Sequence, residues 1–219
     1  MPSWFTGEKR ERVPLSVPAC APEVAVLTTS QQARQERMLE VASRLAADGG
    51  FEAVQMRTVA LESDVALGTL YRYFPSKEHL LVSAMLRQIT DLGERLTVRP
   101  PVGSRPVDRV VDVLSRSNRA LQGQPQFTLA MVRALVAGDQ TIAPAVHEIT
   151  SSMRSIILGA MAVGQEIDNG SERLPLVADT LADVWLSALV AWLSGSIPAS
   201  GVNEKLERAA TLLMEDHGD

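Results

Sequence analysis

SDVALGTLYRYFPSKEHL, residues 63–80, places a threonine, two tyrosines, an arginine and a lysine in one short window that a proline interrupts. Leu70 and Phe74 are four apart and share one helical face, so they can lock a short helix onto a core. The opposite face presents Gly68, Tyr71 and Arg72, flanked by Leu67, Thr69 and Tyr73. Val65 falls in the turn before this helix, where a small apolar plug is useful. Pro75 ends the helix, because its ring cannot continue the hydrogen-bond ladder, and Ser76 is placed to cap the next one.

Upstream, Thr29 and Gln32 have capping-box spacing. Met38, Val41, Ala42 and Leu45 follow at i, i+3, i+4 and i+7, predicting an amphipathic helix that Gly49-Gly50 closes. A second short helix is expected over Met56–Glu62, with Met56, Val59 and Ala60 facing inward. Residues 1–28, with four prolines and no helical period, read as a mobile tail.

Downstream, the fourth helix runs through Leu80, Ala84 and Ile89 toward Leu96, and Pro100, Pro101 and Pro106 follow it. Further helices are expected near 107–122, 124–137, 142–165, 175–194 and 203–215. Their breakers are Gly123/Pro125, Gly138/Asp139, Asn169-Gly170 and Pro198/Gly201. No β-alternation and no repeat interrupts this pattern. The expectation is an all-α chain with a tail (1–28), a helix-turn-helix unit (29–97) and a larger helical unit (98–219).

A helix, a turn and a second helix with a donor-rich outer face suit the major groove of DNA. Gly68 has no side chain to hold the backbone off base edges. Thr69 and Tyr71 can reach bases or phosphates, and Leu67 a thymine methyl. Arg72, Tyr73 and Lys77 suit phosphates, the capped helix start at Ser76 adds backbone N–H groups, and Arg57 can reach the groove or its rim. The net charge is −5, and residues 30–80 carry six basic and seven acidic side chains. Binding would therefore rest on a few placed cations rather than on a general positive field.

GTLYRYFPSKEHLL resembles the signature of the TetR-type repressors, and the preceding MRTVALESDVAL is similar to that family's second helix and turn. The resemblance covers roughly residues 30–90. It implies a homodimer on a near-palindromic DNA operator, with Arg57, Leu67, Gly68, Thr69, Tyr71, Tyr73 and Lys77 at positions that meet DNA. The stretches EAVQMRTVALESDVALGTLYRYFPSKEHLLVSAM and ADVWLSALVAWLS are similar, within that family, to actinobacterial repressors of cholesterol catabolism. That implies a steroid-derived effector, carried as a coenzyme A thioester.

Residues 184–193 are apolar but for Ser187, so both faces of that helix should be buried, one in a domain core and one against a second copy. At ten residues the run is about half of the roughly 20 that span a bilayer. Leu206, Ala209, Ala210 and Leu213 make a stripe that could complete four-helix packing between subunits. Phe127, Met131, Leu135, Met153, Ile157, Met161, Trp185 and Trp192 supply large apolar surface in a chain with 4% aromatic residues. They are the candidate walls of an effector pocket.

One cysteine, Cys20, suits a reducing compartment, and no secretory signal opens the chain. A cytoplasmic protein is expected. No P-loop, dinucleotide turn or metal-ligand set is present, so neither an enzyme nor a cofactor is expected. Asp179 and Asp183, one helical turn apart, are the nearest thing to a carboxylate pair. The alternative reading is a helical adaptor that binds protein through residues 184–193 and never touches DNA.

Overall fold

The computed structural model describes residues 28–163 and 173–215. The expectations for the tail, Cys20 and Asn169-Gly170 lie outside the described residues. Within them the chain forms nine α-helices and no strand: α1 Thr29–Ala53, α2 Met56–Glu62, α3 Leu67–Tyr73, α4 Lys77–Val98, α5 Pro106–Gln122, α6 Pro125–Ala137, α7 Ala143–Ala162, α8 Arg173–Leu193 and α9 Ala199–Met214. A short 3-10 turn, Gln140–Ile142, leads into α7.

α1 begins one residue earlier than the capping motif suggests. Thr28 Oγ1 accepts from Gln31 N–H at 3.3 Å, and Gln31 Oε1 accepts from Thr28 N–H at 2.7 Å. Thr28-Thr29-Ser30-Gln31-Gln32 satisfies the motif in two registers, so spacing alone cannot choose between them. Gly49 and Gly50 break the helical path within α1. Gly50, at φ 70° and ψ −162°, occupies backbone space open almost only to glycine. The last residues of α1 are thereby redirected toward α4 and α6.

The core is continuous from end to end. Met38, Ala42 and Ala46 of α1, Val59 of α2, Leu70 of α3 and Leu80, Leu81 and Ala84 of α4 are closed from solvent. They join Val110, Val113 and Leu114 of α5, Phe127 and Met131 of α6, Ile157 of α7, Leu181 and Leu189 of α8 and Leu206 of α9. α1 packs along α6, and α4 packs on α1, α6 and α7, so α4 belongs to both halves of the molecule.

α8 as a whole has the length and apolar composition of a membrane span, which the run at residues 184–193 taken alone does not. Its Val177, Ala178, Leu181, Trp185, Ala188 and Leu189 are buried, and the helix packs on α7, α9 and α6, as a core helix does. The expected burial of both faces holds for one face within this chain. Leu176, Leu186 and Val190 stay exposed, with Leu212 of α9. The α9 stripe is used inside the chain: Leu206 and Ala210 are buried, Ala209 and Leu213 half-buried, and the helix packs on α5 and α8. A stripe of that width fits an intramolecular groove as well as a partner, and periodicity does not separate the two.

Arg109 of α5 is buried, and its guanidinium donates to four carbonyls: Ala160 O at 3.0 Å, Met161 O at 3.1 Å, and Gly103 O and Ser104 O at 3.3 Å. It closes the carboxy-terminal end of α7, where unpaired carbonyls and the helix dipole favour a cation, and ties down the α4–α5 connection. Replacing Arg109 by leucine should cost about 3 kcal/mol, because charge-assisted bonds vanish and buried carbonyls lose their donor. Urea denaturation read by circular dichroism should show that loss as a lower midpoint.

Candidate nucleic-acid interface and effector cleft

The turn between α2 and α3 is built from backbone bonds. Val65 N–H reaches Ala60 O at 3.0 Å and Asp64 N–H reaches Leu61 O at 3.3 Å, closing α2 with a paired carboxy-terminal cap. Asp64 supplies the left-handed residue this cap needs, at φ 54°. Ser63 is buried, and its hydroxyl donates to Val59 O at 2.6 Å. Val65 packs on the core from the turn.

α3 is held as its spacing suggests. Leu70 and Phe74 are buried, while Gly68, Tyr71 and Arg72 are exposed and Leu67 and Thr69 half-buried. Nothing lies within 4 Å of where a side chain on Gly68 would begin, so the outer surface there is bare backbone. Arg57 of α2 is exposed. Ser76 caps α4 by accepting from His79 N–H at 3.1 Å. The expected helix, turn, helix and capped helix thus stand together with most of the candidate donors outward.

Two candidates point elsewhere. The Tyr73 hydroxyl is buried and has no hydrogen-bond partner, because the ring packs against the core and beside Phe74. Lys77 is only 22% exposed; its ammonium donates to Phe51 O at 3.2 Å and lies 3.7 Å from the Phe51 ring centroid. The expected phosphate contacts of these two residues are not presented in this arrangement.

A cleft of about 820 Å³ opens beside α4, lined also by α5, Met131 of α6 and Trp185 of α8. Met85, Ile89, Leu92, Leu96, Leu121, Met131 and Trp185 give it apolar walls, and Arg95, Arg99 and Arg116 lie along its lining with Asp91 and Glu94. Of the eight pocket candidates only Met131 and Trp185 line it. Phe127, Met153, Ile157 and Met161 are buried in the core, and Leu135 and Trp192 pack half-buried against it. A large apolar side chain in a helix fills core and wall with the same spacing, so periodicity does not choose between the two. The α4 wall is not legible as a cleft from spacing alone, because its residues continue the helical spacing of the helix-turn-helix core. The signal for it was the length of α4, 22 residues, which outruns what that unit needs.

The carboxylate pair does not form a site. Both oxygens of Asp179 accept from Arg154 of α7, at 2.5 and 2.7 Å, while Asp183 is exposed. No group of three or more histidine, cysteine, aspartate or glutamate side chains with metal-binding geometry occurs among the described residues.

A buried-face recognition helix, a capped α4 behind it and a helical half with a cleft together define a DNA-binding regulator. The chain belongs to the TetR family: residues 38–84 match the bacterial regulatory proteins of the tetR family, and residues 103–213 match the tetracyclin repressor-like C-terminal domain. It is 39% identical over 209 residues to the HTH-type transcriptional repressor KstR of Mycobacterium tuberculosis, covering 93% of each chain. It is 39% identical over 212 residues to KstR of Rhodococcus jostii, covering 97% of each. A TetR transcriptional regulator from Rhodococcus sp. RHA1 superposes with a TM-score of 0.77 at 32% identity, over 86% of this chain and all of that one. The TetR-family repressor FadR of Thermus thermophilus, solved with lauroyl-CoA, shares the fold at a TM-score of 0.64 and 23% identity, over 84% of this chain and 95% of that one. The chain is a transcriptional repressor of the TetR type and not an enzyme.

Gly68→Glu should abolish operator binding while the circular dichroism spectrum stays that of the parent, since the added side chain meets open space in the free protein and puts a negative charge on the face expected to approach base edges. His79 packs against Phe74, and burial holds its pKa below the ordinary value of 6.5. The unfolded chain therefore binds a proton that the folded one resists, so stability should fall as pH drops below about 6.5. His79→Gln should flatten that part of the urea-midpoint profile relative to the parent.

Proposed function

We propose that this repressor binds a near-palindromic operator as a homodimer and leaves it when a hydrophobic effector with an anionic head, a steroid-derived or other lipid coenzyme A thioester, fills the cleft beside α4. One observation carries the reading: apolar walls and three arginines share a single cleft on the helix that begins where the recognition helix stops. Its volume falls in the upper part of the roughly 300–1,000 Å³ range of small-molecule sites. Arg99 suits an anionic head, whereas Arg116 is already engaged by Asp112 at 2.6 Å and by the Arg99 and Pro100 carbonyls, and Met85, Ile89, Leu92 and Trp185 suit a rigid apolar body. The resemblance of residues 52–85 and 182–194 to cholesterol-catabolism repressors favours a steroid, and lauroyl-CoA in the T. thermophilus repressor supports the thioester.

α2 and α3 dock in the major groove, with Gly68, Thr69 and Tyr71 at base edges and Arg57, Leu67 and Arg72 around them. The first turn of α4 offers backbone N–H groups to a phosphate, and Lys77 joins them by releasing Phe51 O. Tyr73 supports α3 from within unless docking draws its hydroxyl out. The exposed Leu176, Leu186 and Val190 of α8, with Leu212 of α9, form the dimer face. The two recognition helices must stand about 34 Å apart to enter successive grooves. An effector that wedges α4 from α5 and α6 changes that spacing and favours the released state. Such a regulator acts in the cytoplasm, with residues 29–97 as its DNA-reading unit and 98–219 as its effector and dimer unit.

Fluorescence anisotropy on fragments of its own upstream DNA, across a salt series, tests this. One palindromic fragment should bind with dimer stoichiometry, and Lys77→Ala should lower the salt slope by about one phosphate per half-site. A steroid coenzyme A thioester should release the DNA where free coenzyme A does not. Weak, equal binding to every fragment would mean that the operator lies elsewhere or that the helix-turn-helix only packs, and Tyr71 and Lys77 variants would decide between those two.

A further inference from the structure

We propose that Glu52 and Arg133 are positioning residues for operator binding, deciding whether the ammonium group of Lys77 is held back or free to meet phosphate. The proposal rests on the reading that Lys77 meets DNA. Three helices converge where the kink at Gly50 turns the end of α1. The Phe51 ring has Lys77 Nζ 3.7 Å and Arg133 Cζ 4.5 Å from its centroid. The Glu52 carboxylate is shared by the same two cations, with Arg133 at 2.8 Å and Lys77 at 3.9 Å.

The two distances are unequal, and that inequality is the point. Arg133 takes the carboxylate at full hydrogen-bond distance, so Glu52 holds Lys77 only loosely, and the bond to Phe51 O at 3.2 Å is the one that Lys77 must release to reach phosphate. A shift of α6 that withdraws Arg133 leaves the negative charge to Lys77, which then closes on Glu52 and away from DNA. α6 is also the helix that walls the effector cleft, through Met131, two residues from Arg133. Cleft occupancy and the cation beside the recognition helix are therefore joined through one rigid element, α6.

Arg133 is 54% exposed and Glu52 71%, so either ion pair alone is weak. The effect is repeated in each half of a dimer, and the two multiply. In the full-length repressor, Arg133→Gln should weaken binding to a fragment the parent binds by about fivefold and reduce the salt slope. Arg133→Lys should behave as the parent. Glu52→Gln should change affinity by less than about twofold in the parent yet restore most of the loss in Arg133→Gln, a coupling that simple charge addition does not give. Equal effects of Glu52→Gln in both backgrounds, or parent-like binding by Arg133→Gln, overturn the proposal. Parent-like binding and salt slope for Lys77→Ala overturn its premise, and the proposal with it. Circular dichroism of each variant separates these results from misfolding.

Discussion

A helix of seven residues does not persist in water, since nucleation costs more than so few bonds return. α3 exists because Leu70 and Phe74 are pinned in a core assembled by α1, α2 and α4. That requirement shapes the rest of the chain. Ser63, Asp64 and Val65 form a tight, backbone-closed turn because any slack would tilt so short a helix. Pro75 and Ser76 then stop one helix and start another within two residues, leaving α3 fixed at both ends.

The support has to come from somewhere rigid, and α4 supplies it. Its first turn abuts the recognition helix, its middle packs on α1, α6 and α7, and its last turns wall the cleft. A 22-residue helix is about 33 Å long, so a tilt started at one end is delivered at the other. The continuous core means that the helix-turn-helix half and the half that holds the cleft do not move as beads on a string. Arg109 adds to this by fastening the end of α7 and the loop after α4 to the same helix, α5.

Most of the architecture could be read from periodicity and punctuation, because glycine, proline and caps act locally. The helices expected near 107–122 and 124–137 lie within two residues of α5 and α6. The capping register at Thr28 slipped by one because neighbouring residues offered the same chemistry twice. The outer face of α3 was legible for the same reason as its inner face: a single helix with two anchors leaves few choices. The walls of the cleft were not. Whether Phe127 or Met131 meets a cavity depends on how far α4 stands from α5 and α6, a long-range spacing that no local pattern encodes. Nor does local pattern show that Lys77 folds back on Phe51, since Phe51 and Arg133 meet it only through the tertiary fold.

The residues that hold α3 in place are not the ones it shows to solvent. Leu70 and Phe74 face the interior, while Gly68, Tyr71 and Arg72 look outward with few neighbours of their own. Substitutions on the outer set can therefore accumulate without disturbing the core that the inner set maintains. The surface that α3 shows can change while the cleft beside α4, lined by other residues, stays as it is.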